Sequence, residues 1–240
     1  MSPLAELLTG MQALGIYILV MVCIAFTLRA FTKIPNEVYR KLLHCILLGA
    51  LYVWTFGFET WYISVLSAIG FALVLYPVLI FVPRIKWVAR FLIERKAGEF
   101  KRSLLVVFLM YGVVTTVCWG FLGDRMVGLC SFYAWGFGDA AAALVGKRFG
   151  KHSIEGKHIE GRKSWEGTIA MFMVSFLCVA VLLTLRSGMA WHTCLLISVI
   201  TAAVSAAAEL FSLDGFDTIM CPVTAMAVLL PLVHFIGGGI

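Results

Sequence analysis

Long apolar runs, with the charges confined largely to the gaps between them, constrain this chain more than any other feature. From Met11 to Phe31 the only charged side chain is Arg29, and comparable runs recur up to the C-terminus. A helix crossing a bilayer needs about 20 apolar residues, because each residue rises about 1.5 Å through a hydrocarbon layer about 30 Å thick. The spacing predicts eight such helices, near residues 11–31, 42–58, 60–82, 103–122, 126–146, 168–186, 191–211 and 222–238. The short gap between the second and third predicts a tight helical hairpin, and Pro222 suits the first turn of the last helix. With 62% hydrophobic and 13% charged residues, the chain has too few charges to cover a water-facing surface. The expected fold is all-α: a polytopic integral membrane protein with one transmembrane domain over residues 1–240. The first run is too long for a signal-peptide core and lacks a preceding basic segment, so it is expected to be retained as a spanning helix.

The basic residues predict orientation. Of the 19 Lys and Arg, all but Arg125 and Arg186 fall in the first, third and fifth loops or at the ends of their helices. Those loops are expected to be cytoplasmic, with both termini outside. The net charge of +6 is thus mainly a topology signal; split among helix ends, it does not suit nucleic acid. In the third loop, Arg84 to Lys101 interleaves Ile85, Trp87, Val88, Phe91, Leu92 and Ile93 with basic residues. That pattern predicts an amphipathic helix on the membrane surface. The seven cysteines form no CxxC pair and fall mostly in apolar runs, so they are expected to be small buried hydrophobes rather than disulfides or zinc ligands.

The chemistry concentrates between Ala134 and Thr168, AWGFGDAAAALVGKRFGKHSIEGKHIEGRKSWEGT. Asp139 stands in an otherwise apolar helix among Gly136, Gly138 and Ala140 to Ala143. A carboxylate there is costly unless paired, hydrated or bound to a metal, which makes it a candidate Mg²⁺ ligand or catalytic group. The fifth loop alternates Gly146, Gly150, Gly156 and Gly161 with Lys147, Arg148, Lys151, Lys157, Arg162 and Lys163. Backbone N–H groups at flexible glycines can meet phosphate oxygens while cations neutralise them. The loop closes on GRKSWEG (161–167): Ser164 is placed to cap the next helix, Arg162 and Lys163 to face an anion at its N-terminus, and Glu166 to hold a metal beside it. GKHIEGRKS (156–164) imitates a nucleotide P-loop, but carries an extra Arg and lacks the strand such a loop requires. Two further clusters are expected on the same membrane face. Arg40, Lys41 and His44 open the second helix, and Glu209, Asp214 and Asp217 flank the last interhelical turn. Carboxylates for Mg²⁺, a Lys/Arg clamp and oriented N–H donors are the components of phosphoryl transfer. A transporter of a small anion or lipid is a further alternative, but the inverted repeats common in such proteins are not visible.

RKLLH (40–44), GDAAAALVGKRFG (138–150), GRKSWEG (161–167) and ELFSLDGFDTIMCP (209–222) together resemble the membrane lipid kinases that use CTP: phytol kinases, dolichol kinases and CTP-dependent diacylglycerol kinases. These form one superfamily with the phosphatidate cytidylyltransferases. The resemblance covers most of the chain in order, from about residue 40 to 222. It implies an Mg²⁺-dependent transferase moving a phosphate from CTP to the hydroxyl of a membrane lipid, with the bilayer, a nucleotide and a lipid alcohol as partners; homo-oligomerisation is left open. Asp139, Lys147, Lys163, Ser164 and Glu166 match the central motif. Arg40, Lys41 and His44 match the early one, and Glu209 and Asp217 the late one. The glycine-rich late signature of the cytidylyltransferases, whose product would be CDP-diacylglycerol, is not found, which favours the kinase branch. Many of those kinases carry Asp-Asn where this chain has Asp217-Thr218.

Overall fold

The computed structural model describes residues 2–81, 98–156, 159, 163–186, 188–212 and 216–238. Among them are eight α-helices: α1 (Pro3–Phe31), α2 (Asn36–Phe56), α3 (Trp61–Phe81), α4 (Glu99–Thr115, continuing as a π-helical turn Thr116–Phe121), α5 (Arg125–Phe149), α6 (Trp165–Arg186), α7 (Trp191–Phe211) and α8 (Asp217–Phe235). Six are long and apolar enough to cross a membrane: α1, α3, the Lys101–Phe121 stretch, α6, α7 and α8. The other two, α2 and α5, carry Arg40 to His44 and Asp139 to Arg148. The chain is therefore an all-α integral membrane protein, as helices bond their own backbone where no water can. The expected surface helix falls almost wholly outside the described residues.

Five helices start well before the apolar runs suggest. α1 begins at Pro3, α2 at Asn36, α4 at Glu99, α6 at Trp165 and α8 at Asp217, because a hydropathic run marks only the most apolar part of a helix. Polar first turns such as Asn36–Arg40 and Trp165–Gly167 are invisible to it. Pro222 consequently lies inside α8 rather than at its start, where it has no N–H to offer the carbonyl four residues back.

The chain divides into two compact units, residues 1–116 and 117–240. In the first, α3 and α4 pack around the fully buried Trp54 of α2, whose indole meets Phe71, Phe108 and Tyr111. Its Nε1 donates to Ser67 Oγ at 3.1 Å, and Ser64 Oγ lies 2.7 Å from Tyr111 Oη. Glu6, buried on α1, accepts from the backbone N–H groups of Glu59 and Thr60 and from the Thr60 hydroxyl at 2.8–3.0 Å. A carboxylate at the start of α3 complements the positive end of that helix, so one side chain ties α1 to the α2–α3 turn.

In the second unit α5 packs along α6 and against α7 and α8. Glycine makes the α5–α6 crossing close. A Cβ on Gly138 would stand 2.4 Å from Ser175 Oγ and 3.0 Å from Met171 Cγ; one on Gly167 would stand 3.0 Å from the Ala142 carbonyl oxygen and 3.4 Å from Gly146 Cα. Ser175 donates to the Ala134 carbonyl across the crossing at 2.5 Å. Small residues with an interhelical hydrogen bond are a usual means of joining helices in lipid. At the other end of the pair, Asp124 caps α5 by accepting from Met126 and Val127 N–H and forms an ion pair with Arg186 at the end of α6.

Candidate functional site

The α5–α6 connection doubles back over the end of α5. Two short strands, β1 (Ser153–Ile154) and β2 (Lys163–Ser164), pair antiparallel, with Ser153 opposite Ser164 and Ile154 opposite Lys163. Glu166, in the first turn of α6, holds this hairpin. Its carboxylate accepts from Lys151 N–H at 3.2 Å and His152 N–H at 3.3 Å, and His152 Nδ1 lies 2.7 Å away. Ser164 caps α6 as expected, accepting from Gly167 N–H at 3.2 Å. Gly146 lies within α5, and Gly150 closes that helix by donating its N–H to the Gly146 carbonyl. A Cβ on Gly150 would stand 2.8 Å from Ser164 Oγ. Both glycines thus let the capping serine approach.

Lys163 leaves β2 towards the end of α7. Its ammonium donates to the Glu209 carboxylate and, at 2.8 Å, to the Glu209 backbone carbonyl. The pair is mostly enclosed, with side-chain exposures of 22% and 10%. A cation against the last turn of a helix is favoured by its carbonyls and dipole. This contact brings the GRKSWEG segment and the α7–α8 turn to one end of the second unit, opposite the Asp124–Arg186 pair. The thiol of Cys221 is buried on α8, one turn from Asp217. Asp217 of α8, Glu209 of α7, Asp139 of α5 and Lys163 lie near enough to act on it electrostatically.

The other sequence candidates take different places. Lys147 and Arg148 occupy the exposed last turn of α5, with the Arg148 guanidinium over the Phe149 ring. Arg40, Lys41 and His44 share consecutive turns of α2 in the first unit; Arg40 pairs with Glu37 at 3.0 Å, and Lys41 is buried. Arg162 and Asp214 lie outside the described residues. Among the described residues, no three His, Cys, Asp or Glu side chains stand close enough to hold a metal ion by themselves. None of the seven cysteines is in a disulfide.

The phytol kinase of Synechocystis sp. (strain ATCC 27184 / PCC 6803 / Kazusa) is 31% identical over 215 residues, spanning 86% of this chain and 84% of that protein. The chain belongs to the phytol kinase family. A probable chloroplastic phytol kinase of Triticum aestivum is 28% identical over 142 residues, 56% of this chain and 45% of that protein. No family model matches, and no solved structure gives a significant match.

Within this member of the family, sequence reasoning did not single out Cys221, whose thiol is buried one turn from Asp217, because a lone cysteine in an apolar helix carries no signal. It also missed the buried hydroxyls of α7. Thr201, Ser205 and Glu209 recur every fourth residue, a spacing that sets them on one helical face and could have been seen.

Proposed function

We propose that this protein is a membrane lipid kinase that transfers the terminal phosphate of CTP, with Mg²⁺, to the hydroxyl of a long-chain lipid alcohol, phytol being the first candidate. The observation that carries this reading is the Lys163–Glu209 pair, which joins the start of α6 to the end of α7, in a chain related to a phytol kinase. CTP as donor, and a polyprenol or diacylglycerol as other acceptors, rest on the resemblance of the sequence motifs.

The donor set fits a nucleotide-borne Mg²⁺ rather than an all-protein cage. Mg²⁺ is usually held by one or two carboxylates together with phosphate oxygens and water. Asp139 and Asp217 would hold it, and bound there it would neutralise charge on the phosphates. Lys163 has three N–H donors; with two given to Glu209, the third is available to a phosphate oxygen. Glu209 thereby positions the ammonium as well as balancing its charge. Glu166 acts as a clamp on Lys151 and His152, shaping the loop that covers the phosphates. Ser164 and the first turn of α6 supply oriented N–H groups, while Lys147, Arg148 and Arg162 add positive field. In the transfer, the alcohol oxygen forms the new O–P bond as the bridging O–P bond to CDP breaks. The hydroxyl proton passes to a carboxylate of the site. Positioning and electrostatics carry most of such a reaction. Arg40, Lys41 and His44 we place as anionic-headgroup or phosphate contacts, with the site on the cytoplasmic side and both termini outside.

Purified protein given CTP, Mg²⁺ and a panel of lipid alcohols tests this. Label from γ-phosphate-labelled CTP should appear in the lipid. Label transferred from the α-phosphate instead would make the protein a cytidylyltransferase. Absence of both would overturn the kinase reading.

A further inference from the structure

The buried face of α7 carries three hydroxyls and a carboxylate: Ser198, Thr201, Ser205 and Glu209, none more than 8% exposed. Serine and threonine in membrane helices ordinarily satisfy their hydroxyls on the carbonyl of the preceding turn. Ser198 does so on Cys194 at 2.6 Å, Ser131 on Val127 at 3.0 Å and Thr224 on Met220 at 2.7 Å. Thr201 Oγ1 and Ser205 Oγ do not; both are fully buried, with no hydrogen-bond partner among the described residues. A buried hydroxyl without a partner costs stability, and most where no water competes. Alanine or valine would avoid that cost.

We infer that Thr201 and Ser205 form the seat for the hydroxyl of the lipid alcohol, one turn beneath Glu209, which rests on the kinase reading above for its ligand. Side chains four residues apart on a helix have Cβ atoms about 5–6 Å apart. Both oxygens are closed off in the structure, so an alcohol oxygen reaches them at ordinary hydrogen-bond lengths as the side chains packed on this face of α7 give way. Such an oxygen lies one turn below the Lys163–Glu209 pair, on the side of the charge cluster away from the hairpin. A lipid alcohol entering from the bilayer would bring its single polar atom to that depth and leave its hydrocarbon among apolar side chains. The ligand class is thus a monohydric long-chain alcohol. Thr201 and Ser205 bind and position it; they do not touch the nucleotide.

Ser205→Ala and Thr201→Val remove the hydroxyls at nearly constant shape, while Thr201→Ser retains one. Steady-state kinetics with phytol and CTP should show the KM for phytol raised about fivefold to tenfold in the first two, the scale of one neutral hydrogen bond. The KM for CTP should be unchanged, and Thr201→Ser should behave as wild type. A second readout is binding of tritiated phytol to the full chain in nanodiscs. Ser205→Ala should weaken it by a similar factor, without altering competition by phytane, which lacks the hydroxyl. If the wild-type protein binds phytol in a Ser205-dependent way but transfers no phosphate, the seat stands and the kinase reading fails. Unchanged phytol KM and binding in an active Ser205→Ala or Thr201→Val enzyme overturns the seat and leaves the kinase reading intact. A failure of wild type to bind phytol in preference to phytane also overturns the seat.

Discussion

The Lys163–Glu209 pair permits a prediction that separates structure from chemistry. Lys163→Met keeps the length of the side chain and removes its charge. It leaves the Glu209 carboxylate, 10% exposed, without its cation. Breaking one side of a fully buried pair costs about 3–5 kcal/mol; with 22% of the lysine side chain exposed, the loss should fall near the lower end, about 3 kcal/mol. Glu209→Gln should cost less, because the ammonium retains its 2.8 Å bond to the Glu209 backbone carbonyl. The double variant Lys163→Met/Glu209→Gln should recover most of the stability, as neither charge then remains buried alone. Activity should behave differently. If Lys163 also contacts the transferring phosphate, kcat/KM falls by about 10²–10³-fold in Lys163→Met and stays low in the double variant. Chemical denaturation in detergent micelles reads the first quantity, and label transfer from CTP the second. Recovery of turnover together with stability in the double variant would show that Lys163 serves only to neutralise Glu209, and its contact with phosphate would have to be abandoned.

Asp139→Asn should fold normally and lose about 10²-fold in kcat, with a higher Mg²⁺ requirement; near-normal turnover across a Mg²⁺ titration would remove it from the site. Gly138→Val should destabilise the second unit by about 1–3 kcal/mol, since Ser175 Oγ, 2.4 Å from the added Cβ, is held by the Ala134 carbonyl; an unchanged denaturation midpoint would contradict the close crossing. Glu166→Gln should release Lys151 and His152, seen as faster limited proteolysis between β1 and β2 and a raised KM for CTP with the midpoint unchanged. Unaltered proteolysis would show that the clamp does not order the hairpin.

Lipid as the solvent for most of this chain was legible in the sequence, because about 20 residues without charge have few other uses, and so was the helical class. The cap on α6 was also legible: Ser164, placed by its position before the helix, accepts from Gly167 N–H. The contacts made by the residues around it were not. Glu166 accepts from Lys151 and His152 across the hairpin, and Gly146 lies against Ser164 and Gly167 where α6 crosses it, contacts that no local pattern announces. Pro222 looks like a helix start because hydropathy does not register the polar turn before it. The union of Lys163 with Glu209, 46 residues apart, is decided by how α5, α6 and α7 pack. Local pattern sets which face of a helix is polar; only the packing of helices against one another decides which polar faces meet.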